Sequence, residues 1–314
     1  GAGAAGARFS FSSPRFTGEG GASIDPDLKN SYTDEASVFV EREVMQDLGV
    51  RIGYVWKKDN DGWQQIVPNR PFSAYNVPNT VVEATTGQTF ELFNLDNPAG
   101  RPIEQFTTNI EGYEGTYKTL EFSSNKRYSN RWSMNASVSY TWTEEFGRTY
   151  FGQVFATAVN QFSLFGAHPT NPNERTFNEF TNWNAKFSGT VDAGWGLRVT
   201  PVVKAQSGAP YGRVVNIPGC SATVTANCMN YGAQLVLAEP IGTRRQSTVA
   251  LVDFRVEKQV RFADRARVGL FFDMFNTFNS NTPINITWLS GVRFNRATTV
   301  IPPRIAKFGV KFDW

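Results

Sequence analysis

Long apolar runs are missing from this sequence. No stretch of about 18 consecutive apolar residues occurs anywhere in its 314 residues, which removes a transmembrane helix. Mean hydropathy is −0.34 and 19% of residues are charged, again unlike a bundle of membrane helices. Histidine is almost absent. The single one, His168, sits in AHPTNPNE, so a histidine-based triad or a multi-histidine zinc site cannot be assembled, and it reads as a solvated loop residue. The net charge of +3 is too small to argue for a nucleic-acid partner. DNDG at 59–62 lacks the further carboxylates and final Glu of a calcium loop and reads as a turn. There is neither an initiator Met nor a signal peptide before GAGAAGARFSFSSP. No catalytic, cofactor or metal set can be identified, and no enzyme is expected.

What the chain does have is aromatic residues, 14% of the total, including 26 Phe and 8 Trp. That suits a β-rich protein with aromatic girdles, and equally a lectin-like sandwich. The last stretch, RIAKFGVKFDW, is the clearest pointer. Ala306, Phe308, Val310, Phe312 and Trp314 fall on one side of an extended strand and Lys307, Gly309, Lys311 and Asp313 on the other. Residues 131–142 repeat the pattern without a break. Trp132, Met134, Ala136, Val138, Tyr140 and Trp142 alternate with Arg131, Ser133, Asn135, Ser137, Ser139 and Thr141.

Residues 1–33 show no sustained period and read as the tail of a loop; strands occupy 34–314. Nine strands of about ten residues are predicted, the length that a tilted strand needs to cross a bilayer. Short turns alternate with long connections at 59–113, 144–178, 207–246 and 277–302, the first with room for a hairpin at Thr80–Glu83 and Thr89–Phe93. Strand six is expected to begin at Trp195, after a minimal turn at Asp192–Gly194. A soluble sandwich also alternates faces but does not usually sort its loops by length. The expected fold is all-β: an antiparallel transmembrane barrel portion with short periplasmic turns and long extracellular loops. An odd strand count puts the two ends on opposite sides, whereas complete bacterial barrels have even counts. An incomplete piece of a larger barrel is therefore expected.

IDPDLKNSYTDEASVFVERE (24–43) and the following GVRIGYVWKKDND resemble the barrel of TonB-dependent outer-membrane receptors, most closely the Oar-like subgroup with a carboxypeptidase-regulatory-like domain. LVDFRVEKQVRF (251–262), VGLFFDMFNTFNSN (268–281) and PPRIAKFGVKFDW (302–314) are similar to that group's last three strands. The resemblance implies a barrel of about 22 strands with a plug. It also implies outer-membrane localisation and TonB-dependent passage of an unidentified bulky solute. The TonB complex would be reached through a plug domain absent from this chain. It implies further that Phe308, Val310, Phe312 and Trp314 form the C-terminal signal read by the barrel assembly machinery. An outer-membrane porin or adhesin without energy coupling, and a soluble β-sandwich binding module, are the competing readings.

In that setting Cys220 and Cys228, in one exported loop, are disulfide candidates, since the periplasm is oxidising. Trp56, Trp132, Tyr140, Trp142, Trp183 and Trp195 lie near strand ends and read as interfacial anchors in contact with outer-membrane lipid. Loop aromatics such as Trp63 and Tyr75 are sugar-stacking candidates on composition alone. Glu121, Asp192, Asp253, Glu257 and Asp273, with Lys118, Lys186, Arg198, Lys204, Arg255 and Arg267, are expected to line a wet lumen. The sequons NAS (135–137) and NIT (285–287) read as chance matches.

Overall fold

The structure, a computed structural model, describes residues 22–146, 177–262 and 266–313. Nine strands join one antiparallel sheet in strict chain order, each paired only with its neighbours in sequence. Strands one to five are Tyr32–Met45, Leu48–Asn60, Gly115–Ser129, Trp132–Phe146 and Phe177–Gly194. Strands six to nine are Leu197–Gln206, Val249–Phe262, Ala266–Phe275 and Ile305–Asp313. Among the described residues strands one and nine are unpaired on their outer edges, so the sheet is open.

The register keeps like residues together across strands. Val40, Ile52, Phe122, Val138, Ala185, Ala205 and Ala250 stand opposite one another in a single row over seven strands. Trp132, Val191, Val199, Val256, Phe272 and Phe308 form a second row over the last six. The opposite face is ionic and polar: Arg198 faces Glu257, Arg255 faces Asp273, Asp273 faces Lys307, and Ser137 lies between Ser123 and Lys186. A one-residue slip in any strand would move its apolar set to the polar side, so the pattern itself pins the pairing.

Among the described residues nothing covers the apolar face. Val40 is 69% and Phe312 64% exposed, and among the described side chains Val55 is the one buried hydrophobic residue that belongs to the nine strands. In a sandwich the inner faces of two sheets bury each other. Here the buried core lies outside the sheet altogether, in the long connections. A continuous apolar surface of this extent is far beyond what soluble monomers leave in water.

The connections sort by length as predicted. Asn130 and Arg131, with φ of 50° and 71°, make a two-residue turn between Ser129 and Trp132. The positive φ at both positions gives the twist that matches antiparallel strands. Trp195 and Gly196 do the same between Gly194 and Leu197, with φ of 49° and 74°. A Cβ at residue 196 would stand 2.4 Å from the Gln259 carbonyl oxygen, so that turn needs glycine. Strand six therefore starts two residues later than Trp195, because a left-handed pair cannot continue an extended strand.

Two further expectations are corrected. Residues before 34 are not all loop: Ala22–Ile24 pairs in parallel with Gln105–Asn109, and strand one begins at Tyr32. Lys118 shares the apolar face rather than the polar one. Its partners are Trp56 and Trp142, as period-two alternation with Leu120 and Phe122 requires.

Candidate functional site

The long connections are folded bodies. The first contains the predicted hairpin, Val77–Val82 paired with Thr89–Asn94, and the third contains another, Val214–Ile217 paired with Gln234–Leu237. The first alternates in hydrophobicity, the second is apolar on both faces, and an apolar side of each meets the other. Val81, Phe90 and Leu92 pack with Val215, Ile217, Met229 and Val236 in one buried cluster. Each large side chain so buried contributes about 1.5–3 kcal/mol, which gives the two loops a core of their own.

Polar contacts fix the docking. Asn230 donates from Nδ2 to the Leu95 carbonyl at 2.7 Å and accepts from the Leu95 amide at 2.9 Å. The Val82 amide donates to Asn227 Oδ1 at 3.0 Å, and Asn79 Nδ2 donates to the Cys228 carbonyl at 2.9 Å. Cys220 and Cys228 are joined, S–S 2.00 Å, which holds the segment carrying Asn227 and Asn230.

The last connection is locked to the same body. Arg213 bonds both Glu83 and Ser290, the latter at 2.9 Å, and the Ser290 hydroxyl donates to Glu83. Burial pushes the Glu83 carboxyl upward, but hydrogen bonds from Ser290, Thr86 and Arg213 outweigh it and leave the group below its usual range. Trp288 stacks on Tyr211 at 5.7 Å and accepts the Val214 amide through its carbonyl.

Between this body and the sheet lies a cleft of about 1080 Å³. One wall is the polar face at the loop ends of strands one to four. The other is the segment from Ile284 to Leu289. Asp59 accepts from the Thr33 hydroxyl at 2.6 Å, and Glu145 accepts from the Tyr117 hydroxyl at 3.1 Å. Glu114 pairs with Lys58 at 2.7 Å. Register explains the convergence: Asp59 stands opposite Gly115 and Gly115 opposite Glu145, one rung across three strands. Among the described residues no group of three or more His, Cys, Asp or Glu could hold a metal.

The remaining predicted residues fall into two bands on the apolar face. Trp56 and Trp142 flank Lys118 in one row near the loop ends, Tyr140 and Trp183 pair in the next row in, and the Tyr140 and Trp142 rings lie 4.6 Å apart. Trp132 and Trp195 lie at the turn end, Trp195 within the turn and 91% exposed. Lys126 sits over the Trp132 ring at 5.0 Å. Phe308, Val310 and Phe312 point outward from strand nine, with Phe308 against Phe272 at 4.8 Å. Trp314, His168 and most of the second long connection lie outside the described residues. Trp63 is exposed whereas Tyr75 is in the loop core, edge-on to Tyr231, and so is not free to stack on a sugar. The Glu83–Arg213 pair and the cleft were not legible in advance. Runs such as VVNI (214–217) and QLVL (234–237) were the available signal for folded loops.

No protein-family description and no curated protein matches the sequence. Several solved structures are similar in shape. The outer membrane transporter YddB from Escherichia coli is 13% identical with a TM-score of 0.46, over 94% of this chain and 34% of that one. The copper transporter OprC is 11% identical at 0.40, over 91% and 32%. The ferric-catecholate import receptor Fiu from E. coli K12, closed form, is 11% identical at 0.36, over 90% and 38%. The chain spans about a third of the length of these structures.

Proposed function

We propose that this chain forms part of the wall and outer mouth of an outer-membrane β-barrel transporter. The observation that carries the proposal is the uncovered apolar face, continuous over nine strands and banded by aromatics at both ends. Lipid is the solvent that such a face requires, and aromatic rings favour the headgroup levels on either side of it. The ionic face then lines an aqueous lumen, and the folded long loops stand at its mouth. Backbone edges cannot remain unpaired in hydrocarbon, so strands one and nine take further strands as neighbours in the membrane.

Transport in this reading is capture at the loops followed by passage along the polar face, without bond chemistry. Energy coupling through a TonB complex, and kinship with the Oar-like subgroup, belong to the proposal. They rest on the resemblance of residues 24–43 and 302–314 to that group.

Membrane fractionation tests the core of the reading. The protein should co-sediment with outer membranes, resist extraction by carbonate, and migrate differently on gels before and after boiling. Release into detergent-free buffer as a soluble protein would defeat it and revive the soluble binding module.

A further inference from the structure

The cleft below the loops has a one-sided character. Among the described residues that line it are Asp59, Glu114 and Glu145, and no Lys or Arg. Glu114 has the Lys58 ammonium as partner. Among the described residues Asp59 and Glu145 have none within ion-pairing distance; hydroxyls of Thr33 and Tyr117 are what they accept from. An ionised carboxylate offers about four acceptor positions, so each keeps capacity for a further donor. The facing wall carries exposed apolar side chains: Ile284 is 42% and Leu289 40% exposed, and Leu289 stays outside the buried cluster although it bridges to Val214 within it.

We propose that this cleft binds a cationic solute with an apolar portion, of the size of a short basic peptide. An ammonium or guanidinium group would sit between Asp59 and Glu145, and an apolar side chain would lie along Ile284 and Leu289. The volume is just above the roughly 300–1,000 Å³ that enclose drug-sized ligands, which leaves room for a short peptide. An anion would meet three carboxylates against one lysine, and a neutral ligand would leave two carboxylates without counter-charge as the cleft desolvates. The sign of the ligand follows from that comparison. This inference names the solute class for the transport reading above and rests on it for its biological meaning, though not for the binding itself.

The test uses the full chain solubilised from membranes in detergent, with dye-labelled tripeptides Lys-Trp-Lys, Gln-Trp-Gln and Glu-Trp-Glu followed by fluorescence anisotropy. Lys-Trp-Lys should bind, more weakly as salt rises, and Glu-Trp-Glu should not. The double variant Asp59→Asn with Glu145→Gln should lose about tenfold or more for the basic peptide, as expected when charge-assisted contacts go. Ile284→Ser, at an exposed site outside the nine-stranded sheet, should weaken the basic peptide several-fold and serves should the double variant not fold. Equal binding of the acidic peptide, or unchanged affinity in either variant, would overturn the proposal. Fractionation of the same preparation keeps the two readings apart. Outer-membrane protein that ignores the basic peptide loses only the ligand class, whereas a soluble protein that binds it loses only the membrane.

Discussion

Arg213 donates from Nη1 to Glu83 Oε2 at 2.6 Å, across 130 positions of sequence and between two different loops. Both side chains are almost fully buried. Such a pair adds little net stability over an apolar one, but removing one member leaves the other charged and dry. Arg213→Met should therefore loosen the loop body by about 3–5 kcal/mol while leaving the sheet intact. Limited proteolysis of intact cells or proteoliposomes should cut the loops of the variant much faster than wild type. Equal cutting rates would show that the pair does not hold the loops.

The same pair sets a pH dependence. The folded-state carboxyl of Glu83 lies below its ordinary value of 4.5, so its contribution is present above that pH. It is lost as pH falls from 4.5 through the lower folded value. Loop protection should be flat near neutrality and decline only below about pH 4.5, and Glu83→Gln should reduce that decline, the Glu239 and Asp96 carboxyls, which their arginine partners also hold below the usual range, supplying the rest. Titrating the protease sensitivity of both proteins from pH 7 to pH 3 measures this.

The disulfide acts on the same body. Cys220 and Cys228 close a short loop whose chain-entropy contribution is about 2–4 kcal/mol in the usual model. Asn227 and Asn230, which dock the first hairpin, lie inside or just after it. Cys228→Ser should expose the hairpin at 77–94 to protease without changing the gel shift on boiling. A lost gel shift would mean that the bond supports the sheet instead.

How much of this was legible depends on whether neighbours in sequence carry the signal. The strands were, because one residue's face predicts the next by period two, and nine independent stretches agree. Trp195 was misplaced since its apolar ring continues the alternation while its backbone turns, and composition cannot show φ. Lys118 was assigned by charge against the parity of Leu120. The loop core and the cleft depend on contacts over a hundred residues or more, such as Arg213 with Glu83, or Asp59 brought near Leu289. Single-sequence periodicity has no access to those.

Adjacent residues on opposite faces test the membrane assignment directly. Phe122 lies in the middle of the apolar row and Ser123 on the polar side opposite Ser137. Phe122→Arg should cost about 2–4 kcal/mol of folding free energy in bilayers, the penalty for a cation at mid-membrane. Ser123→Arg should cost little. Refolding yields into lipid vesicles, read by the gel shift, compare the two. Equal yields would remove lipid from the apolar side.

Strand nine carries the last prediction. Phe308, Val310 and Phe312 present three consecutive outward positions, opposite Phe272, Leu270 and Val268 of strand eight. Lys307, Gly309 and Lys311 occupy the other side of the same backbone. If assembly reads the aromatic side of this strand, Phe308→Ala with Phe312→Ala should lower the amount of protein in outer membranes several-fold. Lys307→Ala with Lys311→Ala should not, although the backbone pairing is the same in both. Replacing Phe with Ala also removes lipid contact worth about 1.5–3 kcal/mol per ring, so stability alone could lower the yield. In-vitro refolding into vesicles separates the two causes, because it involves no assembly machinery. A double Phe variant that refolds normally but fails to reach the outer membrane in cells identifies strand nine as a recognition element. One that fails in both settings assigns its aromatics to lipid contact alone.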